Sequence, residues 1–206
     1  MLYHEEPLPE HSDSVFVFDP ALVTDRGSLL LSMGKAARRG EEAPLGRALE
    51  LHGVPTYGRL EGEARAEGGD TLWLDHDTLA VARGFRTNAE GVRQLRALLA
   101  PLGVTVLDYD LPYFAGPEVC LHLLSLISPV DADLAVAYPP LMPTAFWAEL
   151  KRRGVRLLEV PEEEFLHTQA TNVLTVAPRR CIMLGGSPVT HQLLEIADCE
   201  VVTFPG

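Results

Sequence analysis

Three observations predict an α/β fold built from repeated strand–strand–helix–strand modules. The dipeptide Gly-Val recurs at 53–54, 103–104 and 154–155, about fifty residues apart. Each copy follows a helical pattern and opens an extended run, as a glycine helix cap does. Ahead of each helix lie two short apolar runs parted by Asp, Gly or Pro, the signature of a hairpin. Such a module cannot bury its own apolar faces, so successive copies must pack around a common centre or along a stack.

Taken in order, the first module has strands over Ser14–Val23 and Ser28–Met33, a helix over Ala43–His52 and a closing strand from Gly53. The second has Thr71–Leu74, Thr78–Ala82 and a helix over Asn88–Leu102, where Leu95, Leu98, Leu99 and Leu102 form one apolar stripe. The third has His122–Ile127, Ala132–Tyr138 and a helix over Pro143–Arg153; the fourth has Asn172–Val176, Arg180–Leu184 and a helix over Pro188–Asp198. Thr87, Thr144 and Ser187 stand near helix starts, where a side-chain oxygen caps free N–H groups. In the fourth copy Cys199-Glu200 stands where the Gly should be, before Val201–Phe204. The 206 residues read as a single domain with approximate modules 13–60, 67–109, 120–160 and 170–204.

With 47% hydrophobic and 22% charged residues, the chain can bury a real core. A net charge of -12 argues against nucleic-acid binding and favours a small cationic ligand. Apolar runs such as Leu123–Ile127 fall far short of the roughly 20 residues of a membrane span, and no basic n-region precedes an apolar stretch at the start. Three cysteines without CxxC or metal-ligand spacing fit a reducing compartment, so a cytoplasmic protein is expected. The seven histidines include no HExxH motif, and neither a metal nor a cofactor is called for.

One polar residue per module falls at nearly the same place: Asp19, Asp70, His122 and Asn172, with Glu67 just upstream of Asp70. Singly, an Asp there is an ordinary turn former and a His among leucines an ordinary bonded core residue. Four together point to a shared centre, because buried polar groups are costly without partners.

The stretches Asp13-Ser14-Val15-Phe16-Val17-Phe18-Asp19, Arg38-Arg39-Gly40-Glu41, Glu67-Gly68-Gly69-Asp70, Arg86-Thr87-Asn88-Ala89-Glu90-Gly91 and Leu121-His122-Leu123 together resemble the pentein superfamily of guanidino-modifying enzymes. Within it they look closest to dimethylarginine dimethylaminohydrolases. The resemblance implies an α/β propeller with pseudo-fivefold symmetry, of which four modules are visible here and the fifth is incomplete. It also implies the reaction: two carboxylates hold a guanidinium, a Cys attacks its carbon, and a His protonates the leaving amine and then activates water. On this resemblance Asp19 and Glu67 hold the guanidinium and His122 is the acid–base. Arg38 and Arg86 hold the substrate carboxylate, Asp13 contacts the substrate or its covering loop, and Phe18 borders the site. Asp70 and Asn172 are supporting residues, and Glu41 ends a strand or opens the next helix. The residue types suit the task, since a planar cationic donor is oriented by acceptor carboxylates and an imidazole can move protons near neutrality.

Two departures bear on the expected function. The family nucleophile lies in a Gly-rich stretch near the C-terminus, so it is expected beyond Gly206, and Met1–His11 is too short for the preceding module. Cys181 reads as a buried small hydrophobe, the charges flanking Cys199 disfavour a thiolate, and nothing aims Cys120 at a guanidinium. Leu124 stands where arginine deiminases carry an Asp, and Phe18 where a charged residue is common. The expected activity is hydrolysis of arginine or a methylated arginine to citrulline and an amine. Amidino transfer, arginine deimination and a catalytically inactive binding role are the alternatives, and exposed outer strands are compatible with a homodimer.

Overall fold

The computed structural model describes residues 8–206, which divide into two compact units, one ending at Asp110 and the other beginning at Leu111. The expectation about Met1–His11 falls, for its first seven residues, outside the described ones. Each unit holds two three-stranded sheets built to one plan. In the first unit, β1 (Ala21–Thr24) and β2 (Gly27–Leu30) form a hairpin, α1 (Glu42–Leu51) crosses over, and β3 (Thr56–Arg59) returns parallel to β2. The next sheet repeats this with β4 (Thr71–Asp75), β5 (Thr78–Arg83), α2 (Ala89–Leu99) and β6 (Thr105–Asp110).

The second unit contains β7 (Ile127–Asp131), β8 (Leu134–Ala137), α3 (Thr144–Arg152) and β9 (Arg156–Glu159). A helix that the sequence reading missed, α4 (Glu162–Thr168), follows before β10 (Val173–Ala177), β11 (Arg180–Leu184), α5 (Pro188–Ile196) and β12 (Glu200–Phe204). Each unit has its own core: Leu29, Leu79, Val81, Leu95 and Leu99 in the first, Val136, Leu158, Cys181, Met183 and Leu194 in the second. Among the described residues no helix is long and apolar enough to cross a membrane.

The glycine marks do cap helices. Gly53, Gly103 and Gly154 have φ of 82°, 77° and 78°, and the next N–H, on Val54, Val104 or Val155, reaches back to the carbonyl of Leu49, Leu99 or Leu150. The fourth copy corrects the sequence reading by one residue. Asp198, at φ 60°, takes the left-handed place, and Cys199 N–H bonds Leu194 O. Cys199 therefore stands where the other copies have Val, and it is buried.

Two strand expectations are corrected as well. Ser14–Pro20 is not a strand, because Phe16 N–H bonds Asp13 O and Asp19 N–H bonds Phe16 O, which winds the segment into turns. His122 lies ahead of the third sheet, as the N-cap of a 3-10 turn over Leu123–Ser125. The four polar positions are consequently not equivalent in register. Counting back from the paired residues Ala21, Thr71, Ile127 and Val173, Asp70 and Asn172 stand one residue before, Asp19 two and His122 five.

Candidate active site

In the first unit the motif Glu67-Gly68-Gly69-Asp70 is docked on Phe18-Asp19. Gly68 N–H bonds the Asp19 carbonyl at 2.9 Å and Gly69 N–H bonds Asp19 Oδ1 at 2.8 Å. A Cβ on Gly68 would lie 2.2 Å from the Phe18 carbonyl oxygen, so only glycine permits this approach. The result is that carboxylate oxygens of Asp19 and Glu67 come within 4.8 Å of each other. Both side chains are buried, at 8% and 1% residual exposure, where an acidic pair attracts a cation more strongly than in water.

Each carboxylate is held in place. Glu67 Oε1 accepts the Lys35 N–H at 2.9 Å and lies 3.8 Å from Arg86 Nη1. The Met33-Gly34-Lys35 turn can do this because Gly34 abuts the Arg86 backbone, where a Cβ would come 2.3 Å from the carbonyl oxygen. Asp70 is wholly buried. It accepts from Thr87 Oγ1 at 2.7 Å, and the same hydroxyl accepts the Glu67 N–H at 3.2 Å. Asp70 thus acts on Glu67 through Thr87, and its own N–H bonds the Glu67 carbonyl.

Arg38 is buried and bonded on three sides. Its Nη1 donates to Asp19 Oδ2 at 2.6 Å, its Nε and Nη2 to the Glu41 carboxylate, and Nη2 also to Phe16 O. Burial acts to lower the guanidinium pKa, but the bonds to Glu41 and Asp19 outweigh it and hold the group firmly charged. Four of its five N–H groups are committed, so the side chain as placed offers a ligand one N–H and not a fork. Glu41 precedes α1 as expected, yet its side chain turns inward to Arg38 and does not cap the helix.

Asp13 is paired with Lys35, whose hydrogen bond holds the carboxyl below its usual range. Phe18 is 58% exposed at the end of an apolar surface run that begins at Val15. Lys35, Glu41 and Thr87 are the site residues that sequence reasoning did not assign. The Arg38/Glu41 spacing of three was the one signal available for Glu41.

In the second unit His122 is half-buried. Its N–H donates to Ser125 Oγ at 3.1 Å, and the Ser125 N–H bonds back to the His122 carbonyl at 3.1 Å. Exposed Cys120 brings Sγ to 3.5 Å from His122 Nε2. Cys181 and Cys199 are buried, and desolvation raises both thiol pKa values. Asn172 is exposed; its neighbour Thr171 makes the buried contacts, donating to Ser125 O at 2.7 Å and accepting from Ser128 Oγ at 2.5 Å.

No family model matches the chain. It is 32% identical over 191 residues to N(G),N(G)-dimethylarginine dimethylaminohydrolase of Streptomyces coelicolor, covering 92% of this chain and 66% of that protein. The Pseudomonas aeruginosa protein of the same name is 29% identical, at 92% and 68% coverage. The chain therefore spans about two thirds of the length of these relatives. A structure of the Pseudomonas aeruginosa enzyme, a mutant complexed with citrulline, superposes with a TM-score of 0.80 at 27% identity, covering 97% of this chain and 72% of that one. The N-terminal domain of ArgZ, a cyanobacterial arginine dihydrolase bound to product, gives 0.81 at 22% identity, over 97% and 71% of the two chains, a likeness of fold alone.

Proposed function

We propose, from the premise that the chain belongs to the pentein superfamily, near the dimethylarginine dimethylaminohydrolases and arginine deiminases, that it serves the hydrolysis of a guanidino group of arginine or methylated arginine. The observation that carries this reading is the buried pair Asp19 and Glu67, whose oxygens approach within 4.8 Å. Two fixed carboxylates accept the in-plane N–H groups of a guanidinium and leave its central carbon open to attack from one face. In this reading Arg86, 3.8 Å from Glu67, is the residue that meets the substrate carboxylate. In this unit Arg38 fits a positioning role, fixing Asp19 through a chain that ends at Glu41.

The chemistry has two steps. A Cys thiolate forms a bond to the guanidinium carbon, and the C–N bond to the leaving amine breaks as His122 supplies its proton. The same imidazole then takes a proton from water, whose oxygen replaces sulfur on the carbon and gives the ureido group of citrulline. None of the three cysteines here fits the nucleophile. Cys181 and Cys199 are buried with raised pKa values, and Cys120 lacks the Gly-rich setting of the family's thiol.

Calorimetry with L-arginine and its methylated forms tests the carboxylate pair, and citrulline release by a chain extended to include the expected nucleophilic Cys tests the reaction. Asp19→Asn and Glu67→Gln should each weaken binding by about 10- to 100-fold, the worth of a charge-assisted hydrogen bond. His122→Ala should bind normally and lower turnover by roughly 10²–10⁴. Failure of every guanidino compound both to bind and to react would remove the proposal. Binding without citrulline by a chain that carries the nucleophilic Cys would favour a guanidino-binding protein.

A further inference from the structure

In each unit, the segment that leads into the second sheet docks on the segment that precedes the first. In the first unit the N–H groups of Gly68 and Gly69 do this on Asp19. In the second unit the corresponding segment follows α4, whose C-cap Gln169 has a left-handed φ of 52°. Gln169 O accepts the Asn172 N–H at 2.8 Å. This tight turn sends Ala170 and Thr171 inward, at 1% and 3% exposure, while Asn172 stays exposed.

Thr171 lands on the turn that begins at His122. Its hydroxyl donates to Ser125 O at 2.7 Å. Ser125 in turn holds both backbone polar groups of His122: its Oγ accepts the His122 N–H and its own N–H donates to His122 O, each at 3.1 Å. Thr171 is itself anchored, because its carbonyl accepts from Ser128 Oγ at 2.5 Å and that oxygen accepts the Val173 N–H at 3.2 Å. A continuous run of hydrogen bonds therefore joins His122 to β7 and β10. The other side of His122 offers less support. Residues 117–120 are exposed, and a hydrogen bond such as Val119 N–H to Gly116 O stays within the loop. The place of His122 is set from Ser125 onward, with Leu123 and Leu126 wholly buried as apolar anchors of the turn.

We propose that Thr171, acting through Ser125, is a positioning residue for His122, on the reading of His122 as the acid–base of guanidino hydrolysis. A proton donor must stand within hydrogen-bond reach of the leaving nitrogen, and a misplacement of about 1 Å costs roughly 10²-fold in rate. Valine has the shape of threonine without the donor, so Thr171→Val removes this one bond.

In the 206-residue protein, NMR relaxation of the His122 ring should show less order in Thr171→Val than in the parent, and Thr171→Ser, which keeps the hydroxyl, should restore it. In a chain extended to include the expected nucleophilic Cys, Thr171→Val should lower kcat by about 10- to 100-fold with KM unchanged, again rescued by Thr171→Ser. Ser125→Ala should act alike. The double variant should be little worse than the poorer single one, as for two links of one chain. A hydroxyl that only satisfied a buried acceptor would lower stability and leave ring order and kcat intact. That result, an equal fall in arginine binding, or no rescue by Thr171→Ser would overturn the proposal. An extended parent that makes no citrulline would count against the hydrolytic reading alone, and the ring measurement would still decide whether Thr171 fixes His122.

Discussion

Nη1 of Arg38 lies 2.6 Å from Oδ2 of Asp19, and both side chains are withdrawn from water. A buried cation shared by Asp19 and Glu41 stabilises only while the set is complete, because any member left alone is an uncompensated charge. Arg38→Ala is therefore expected to cost about 3–5 kcal/mol in urea unfolding. A loss below roughly 1 kcal/mol, the range of exposed pairs, would show that the network contributes little.

Gly68 is a second lever on the same carboxylate. The Cβ of Gly68→Ala would meet the Phe18 carbonyl at 2.2 Å, a backbone atom that cannot swing away. The Gly69 bond to Asp19 should be lost with it. Arginine binding should fall by at least tenfold, the equivalent of about 1.4 kcal/mol. Gly185→Ala, where the backbone is not left-handed and the added carbon meets only the Phe204 carbonyl at 3.4 Å, is the control and should leave binding intact.

Thiol chemistry separates the cysteines. Cys120 is exposed, whereas Cys181 and Cys199 are buried with pKa values raised chiefly by desolvation. Iodoacetamide labelling followed by peptide mass spectrometry should modify Cys120 first and the other two only on unfolding. Equal rates at all three would contradict the buried assignment.

Glu149 on α3 provides a pH signature. Hydrogen bonds from Arg152 and then Arg153 pull its carboxyl down to about 2. With a folded value below the unfolded one, its contribution is present above the usual carboxylate range and is lost as pH falls toward about 2. An NMR titration of the Glu149 side chain should show this depressed midpoint, and Arg152→Ala should raise it. An unchanged midpoint in that variant would mean the pair does not form in solution.

Much of the fold was legible because helix ends leave clear marks. Three glycines before three valines fixed the module length, and the leucine stripe of α2 fixed its inward face. The misses have physical causes. Val15-Phe16-Val17-Phe18 has strand composition, but the Phe16 carbonyl is claimed by Arg38 from elsewhere in the chain, and the segment turns. The helix α4 is short, and Glu164 serves another helix, its carboxylate accepting the N–H groups of Val189 and Thr190 at the start of α5. The carboxylates Asp19 and Glu67 were found through motif order, but the part played by Glu41 was not. A charged residue beside a helix start reads as an ordinary cap until its partner is seen buried next to it.

The nearness of Asp19 to Glu67 also affects how the protein's melting must be measured. Guanidinium chloride, the usual strong denaturant, supplies the smallest guanidino cation such a carboxylate pair would embrace. Dilute salt should tighten the native state by mass action before concentrated salt dissolves it. Its unfolding curve should bend upward at the start where urea's falls straight.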